Sequence, residues 1–204
     1  MSALFIIVRH GQTAWNKEER FRGRADLHLD EAGQRQADAA ARRIAARYRP
    51  TVILASPLRR TMQTALPIAG SCGVAVQADD RLLDLDYGDF SGLRPSEAEA
   101  CYPQIYRTWM EAPHLVRFPH GESLNDVRAR AEELIGQLLQ RYPGQQIILV
   151  SHLVVCRVLV CSLLGLPNSY FWRFQVDPAS LSVVAVEGER TRLVTANDTC
   201  HLSA

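Results

Sequence analysis

Three stretches of the chain stay apolar for four or five residues and then stop on polar side chains: "LFIIV" at 4–8, "TVILA" at 51–55 and "QIILV" at 146–150. Each is short, continuous and rich in β-branched residues, the pattern of a strand buried on both faces. Val74–Gln77 reads as a further short strand. Between these runs the apolar residues recur at helical spacing. Asp30 is placed as an N-cap, and Ala37, Ala40, Ala41, Ile44 and Tyr48 follow it before Pro50. Ser56-Pro57 stops the second strand, and a helix is expected from Leu58 to about Gly70. Ser123 and Asp126 form a capping-box pair, after which Val127, Ala131, Leu134, Ile135 and Leu138 share one face until Pro143-Gly144. An apolar helix follows Ser151-His152, and "LSVVAV" and "RLVTA" close the chain as alternating segments.

From Asp79 to Glu122 the periodicity loosens. Prolines at 95, 103, 113 and 119 interrupt it, and Tyr87, Phe90, Tyr102, Tyr106 and Trp109 are scattered through it. Such a segment is too apolar to remain unfolded, so a small inserted cap is expected over about 79–122. Strands alternating with helices, with continuous apolar strands, argue an α/β fold: a three-layer sandwich whose largely parallel central sheet is covered by helices on both faces.

The 204 residues suit a single domain spanning 1–204. A formal net charge of +1 supplies no global field toward nucleic acid or anionic membrane, so any anion site must be local. "ALFIIV" is too short for a signal peptide and runs straight into Arg9, and no apolar run reaches the ~20 residues of a membrane helix. Cys72, Cys101, Cys156, Cys161 and Cys200 contain no CxxC pair and are odd in number, the pattern of free thiols in a reducing cytoplasm.

In sheets of this kind ligands gather at the carboxyl ends of the strands. The first strand delivers Arg9-His10-Gly11 there, the second Ser56 with Arg59 and Arg60 just beyond, and the fourth Ser151-His152. Guanidiniums match two phosphate oxygens at once, and a neutral imidazole is a nucleophile near pH 7. Taken singly, each element has a plainer reading: a strand-end histidine is usually a polar cap, and Arg59-Arg60 would be a solvated helix face.

Together, "RHGQTAWN", "SPLRRTMQTA" and "ILVSH", with "FRGRADLHLDEAG" between the first two, resemble the motifs of the histidine phosphatase superfamily in its phosphoglycerate mutase-like branch. The resemblance covers nearly the whole chain. It implies that His10 is the nucleophile and becomes phosphohistidine, and that Arg9, Arg60 and His152 bind the phosphoryl oxygens and stabilise the transition state. It also implies that Asn16 and Thr13 add hydrogen bonds to the phosphate. Gly11, lacking a Cβ, would let backbone approach the ligand and the nucleophile's ring. The family's proton donor is a glutamate in a stretch resembling "REIDFGEWEG". Here "LDLDYGDFSG" stands in its place, so Asp84 takes the role, with Asp86 and Asp89 as rivals. A donor ionised at pH 7 is useless, so Asp84 should sit where its pKa is raised.

His28, His114 and His120 are expected at the surface, and Trp109 and Trp172 as packing residues. No P-loop or magnesium carboxylate cluster is visible, so no cofactor and no metal are expected. A mutase would carry a basic stretch that "LDLDYGDFSG" lacks, which favours a phosphatase. The nearest likeness is to metal-independent phosphoserine phosphatases, through "WMEAPHLVRFPHGESL", "LLGLPNSYFWRF" and the tail "NDTCHL". Tyr87 departs from that likeness, standing near the substrate where a histidine is usual, and His201 of the tail is expected at the pocket's mouth. The alternatives are a phosphoglycerate mutase, an α-ribazole phosphatase, or a non-catalytic module that binds phosphorylated ligands. The partner expected is a small phosphorylated metabolite, with no nucleic acid and no membrane, and with a homodimer left open as the assembly.

Overall fold

The computed structural model describes residues 2–203. Among them six strands form one sheet in the order β3-β2-β4-β1-β5-β6. The strands are β1 (Ala3–Arg9), β2 (Val52–Ala55), β3 (Val76–Ala78), β4 (Gln146–Ser151), β5 (Leu181–Glu187) and β6 (Arg190–Asp198). The first four run parallel, while β5 lies antiparallel to β1 and β6 antiparallel to β5. The helices are α1 (Ala14–Lys17), α2 (Glu31–Arg47), α3 (Arg59–Cys72), α4 (Pro95–Cys101), α5 (Pro103–Glu111), α6 (Leu124–Arg141) and α7 (Leu153–Leu163).

The unbroken apolar strands follow from the layering. Phe5, Ile7, Leu54, Ile147 and Leu149 face one way, into a core shared with α6 and α7. Ile6, Val8, Ile53, Ile148 and Val150 face the other, against α2 and α3. Both sides of the pleat are dry, so no polar residue interrupts β1, β2 or β4 before its carboxyl end. The helices begin where the chain supplies caps: Asp30 accepts from Gly33 N at 2.8 Å, and Asp126 accepts from Ser123 N and Oγ at 2.7 Å.

β3 lies two residues later than the spacing predicts at its start. Gly73, at φ 69°, ends α3 in the left-handed conformation, and Val74 N donates back to Ala69 O, so 74 still belongs to the helix end. The 79–122 segment folds into α4, α5 and short 3₁₀ turns. Its Leu82, Leu85, Tyr87, Phe90, Trp109 and Phe118 are buried in the same core as α6 and α7. No helix of the described residues is long and apolar enough to cross a membrane.

Candidate active site

The carboxyl ends of β1, β2 and β4 meet. His10 N donates to Ser151 O (2.9 Å) at the end of β4, and Ser56 N to Val150 O (3.1 Å). His152 is the N-cap residue of α7, and Arg60 lies in the first turn of α3. Gly11 serves a different contact from the expected approach to ligand: a Cβ there would sit 2.5 Å from Gly33 O, and one on Gly33 would collide with Gln12 O. The two glycines let the first turn of α2 touch the loop after His10 backbone to backbone.

His10 is fully buried. Its Nδ1 lies 2.7 Å from Gly11 O, and because a carbonyl only accepts, Nδ1 carries the proton. The lone pair is therefore on Nε2, which has no hydrogen-bond partner. Burial, then the guanidiniums of Arg60, Arg9 and Arg22, push the ring's pKa well below its ordinary value, so it is neutral. His152 faces it at 5.3 Å between ring centroids. Its Nδ1 accepts from Arg60 Nε (3.1 Å), which leaves Nε2–H to donate to Ser56 Oγ (2.9 Å). Burial and Arg60 hold it neutral as well.

The Arg60 guanidinium also donates to the carbonyls of Ala25 and Gly23 and lies 3.3 Å from Asp84 Oδ2. Arg9 Nη1 donates to Val176 O (2.7 Å), while its Nε is unpartnered. Asp84 is 4% exposed; Oδ1 accepts from Leu85 N and Oδ2 lies 3.8 Å from His152 Nδ1. Desolvation raises its pKa, against the opposing pull of Arg60 and Arg22. Its two rivals have other partners: Asp86 caps Gly88 N (2.9 Å), and Asp89 pairs with the exposed His120 (3.0 Å). His28 lies between Arg59 and Gln63.

A cavity of about 250 Å³ adjoins this cluster, its walls including Arg9, Asn16, Arg22, Tyr87 and Arg157. Asn16 Oδ1 accepts from Thr13 N and Thr13 Oγ, leaving its amide nitrogen for the cavity. Thr13 is fully buried, as His10 is, and its hydroxyl donates to Asn16 Oδ1 at 2.8 Å. Tyr87 packs edge-on against Phe21 and Phe118. Trp109 and Trp172 pack as expected, yet both also line the cavity. Arg22 is the residue that sequence reasoning missed. It lines the cavity, and its charge acts on His10, Arg9, Arg60 and Asp84 together. It is held loosely, by Trp15 O at 3.4 Å and Arg20 O at 3.5 Å. The available signal was its place in "FRGRADLHLDEAG", beside the carbonyls that Arg60 grips.

His201 is not at the mouth. The tail does fold back, but the Asp198–Arg43 ion pair (2.8 Å) carries it onto α2. There His201 Nε2 meets Ala179 O at 3.0 Å and lines a separate groove with Arg35, Ala39 and Arg42. Among the described residues no three His, Cys, Asp or Glu side chains converge as a metal site. The candidate site instead gathers guanidiniums around neutral imidazoles, a donor set for an anion.

The chain is similar to known proteins in sequence and in fold. Phosphoserine phosphatase 1 of Hydrogenobacter thermophilus is 40% identical over 97% of this chain and 93% of its own length. A probable phosphoglycerate mutase of Yersinia pestis is 34% identical over 96% and 93%. The structure of a mycobacterial glucosyl-3-phosphoglycerate phosphatase bound to VO3 superposes with a TM-score of 0.88 at 32% identity, over 96% of this chain and 99% of that one. The family model of histidine phosphatase superfamily branch 1 matches residues 5–199, across all the strand ends that build the cluster, and the chain belongs to that superfamily.

Proposed function

We propose that the chain hydrolyses small phosphomonoesters through a phosphohistidine at Nε2 of His10, with O-phosphoserine as a candidate substrate. The observation that carries this is the His10 Nε2 itself: unprotonated, unpartnered and buried among guanidiniums. In the first step the Nε2 lone pair forms the N–P bond while the ester P–O bond breaks. Its electrons leave on the alcohol oxygen, which takes a proton from Asp84. In the second step water attacks phosphorus, the N–P bond breaks, and Asp84 accepts the proton of the water. Inorganic phosphate leaves and His10 is restored.

Arg9, Arg22, Arg60 and His152 stabilise the charge on the equatorial oxygens. Arg60 must exchange part of its hold on Gly23 and Ala25 to do so. Phosphoserine is favoured by the 40% identity to the Hydrogenobacter enzyme, which spans nearly both chains. The second reading, transfer to another metabolite in place of water, is favoured by the 34% identity to the Yersinia protein. Five unpaired cysteines support a reducing compartment, the cytoplasm.

Rapid quench with labelled phosphomonoester tests the proposal. The wild type should trap an acid-labile, alkali-stable adduct and release inorganic phosphate, with activity unaffected by EDTA. His10→Ala should form no adduct. An acid-stable adduct, or turnover by His10→Ala, overturns the mechanism. Label recovered in a second metabolite instead of inorganic phosphate favours the mutase.

A further inference from the structure

Arg157 lies in α7, five residues after His152, and the mechanism does not use it. It is 9% exposed, yet no carboxylate of the described residues lies within ion-pairing distance of its guanidinium. Of the other buried arginines, Arg60 has Asp84 as its counter-charge, whereas Arg9, which lines the same cavity, shares with Arg157 the lack of a carboxylate partner. A buried cation with no counter-charge is expensive unless something else meets it. Burial also pulls its pKa down, the mark of a charge short of partners.

The fork is nevertheless held in place. Nε donates to Phe174 O at 2.7 Å, and the guanidinium carbon stands 5.0 Å from the Phe171 ring centroid and 4.7 Å from that of Trp172. Nη1 is buried and has no partner. The same side chain lines the cavity that Arg9 lines, and so do Phe171 and Trp172. A guanidinium kept only to pin Phe174 would need Nε alone.

We propose that Arg157 is a specificity-determining residue that binds a carboxylate of the substrate while the phosphoryl group lies against His10. The proposal rests on the phosphatase reading above. A carboxylate offers two coplanar oxygens to a fork that the Phe174 carbonyl and the two aromatic rings hold in place. The apolar walls suit a short carbon skeleton between the two anions. A volume of about 250 Å³ accommodates such a short skeleton, being below the roughly 300–1,000 Å³ of sites for drug-sized ligands. The substrate class is then small phosphorylated carboxylic acids.

The test uses pairs of substrates that differ in the carboxylate: O-phosphoserine against O-phosphoethanolamine, and 3-phosphoglycerate against glycerol 3-phosphate. The wild type should prefer the acid of at least one pair by about 10–100-fold in kcat/KM, the range for a hydrogen bond to a charged group. In Arg157→Met that ratio should collapse toward one, mainly through KM. Arg157→Lys, which keeps charge without the fork, should recover part of it. A wild type indifferent to the carboxylate in both pairs overturns the proposal without any variant. So does an equal loss on both members of a pair, which is what a purely structural arginine would give. Failure of the phosphatase reading shows separately, as no hydrolysis of p-nitrophenyl phosphate by the wild type.

Discussion

Replacing Asp84 by Asn isolates the proton that the leaving oxygen needs. Asn preserves the shape and keeps the Oδ1 that accepts from Leu85 N at 3.0 Å. At the other oxygen it loses the 3.3 Å contact with Arg60, but Arg60 keeps its bonds to Gly23, Ala25 and His152. The phosphoryl-binding frame should therefore survive, and the change falls on proton transfer. Burial already holds the Asp84 pKa above the ordinary carboxylate value, while Arg60 and Arg22 pull it down. A phosphoryl dianion placed among those guanidiniums cancels the pull, so substrate binding itself favours the protonated acid. General acid catalysis contributes about 10²–10⁴-fold, or about 3–5 kcal/mol, where the leaving group is an alkoxide. A nitrophenolate departs without help. The expected outcome is a fall of that size in kcat on O-phosphoserine, against at most about tenfold on p-nitrophenyl phosphate. A leaving-group series should steepen in the variant. Folding is checked by thermal melting. Equal losses on alkyl and aryl substrates would refute the assignment, because a damaged phosphate site cannot discriminate between leaving groups.

Three further outcomes are expected, two at the site and one on α6. Because the pKa of His10 is depressed, its neutral form should persist below pH 6.5. Phosphoenzyme formation measured by single turnover with p-nitrophenyl phosphate should thus lack an acid limb near that value, and a limb there would contradict the neutral, desolvated imidazole. Gly33→Ala should destabilise by about 1–3 kcal/mol and impair phosphorylation, since its Cβ meets the Gln12 backbone. Gly136→Ala in α6, with nothing within 4 Å, should instead stabilise by about 0.5–1 kcal/mol; calorimetry reads both.

The parts of the molecule legible in the chain are those governed by local periodicity. β1, β2 and β4 are continuous apolar runs because Phe5 and Ile7 enter one core while Ile6 and Val8 enter the other. Their polar ends marked the positions where Arg9, His10, Ser56 and His152 come together. Other features depend on contacts between distant segments and leave no periodic trace. Arg22 sits in a loop without a pattern, and its place over the cluster depends on Arg60 gripping the neighbouring Gly23 and Ala25 carbonyls. The place of the tail is not legible for the same reason, since nothing in "NDTCHL" says that Asp198 will find Arg43 on α2. Arg157 looked like one more residue of an apolar helix; its missing counter-charge is visible only once its neighbours are known.

The loop after β1 is fastened from every part of the chain. His10 N reaches Ser151 and His10 O reaches Ala179, Gly11 N reaches Thr64, and Gly11 meets Gly33 backbone to backbone. Only a segment reaching from His10 to Ala179 contains all four fasteners, and contacts so far apart in sequence are slow to form. Competence to accept a phosphoryl group thus reports on completion of folding in a way that helical circular dichroism does not. On refolding, the helices should register first, and labelling of His10 should return only with the slowest phase, when the last distant segment has docked.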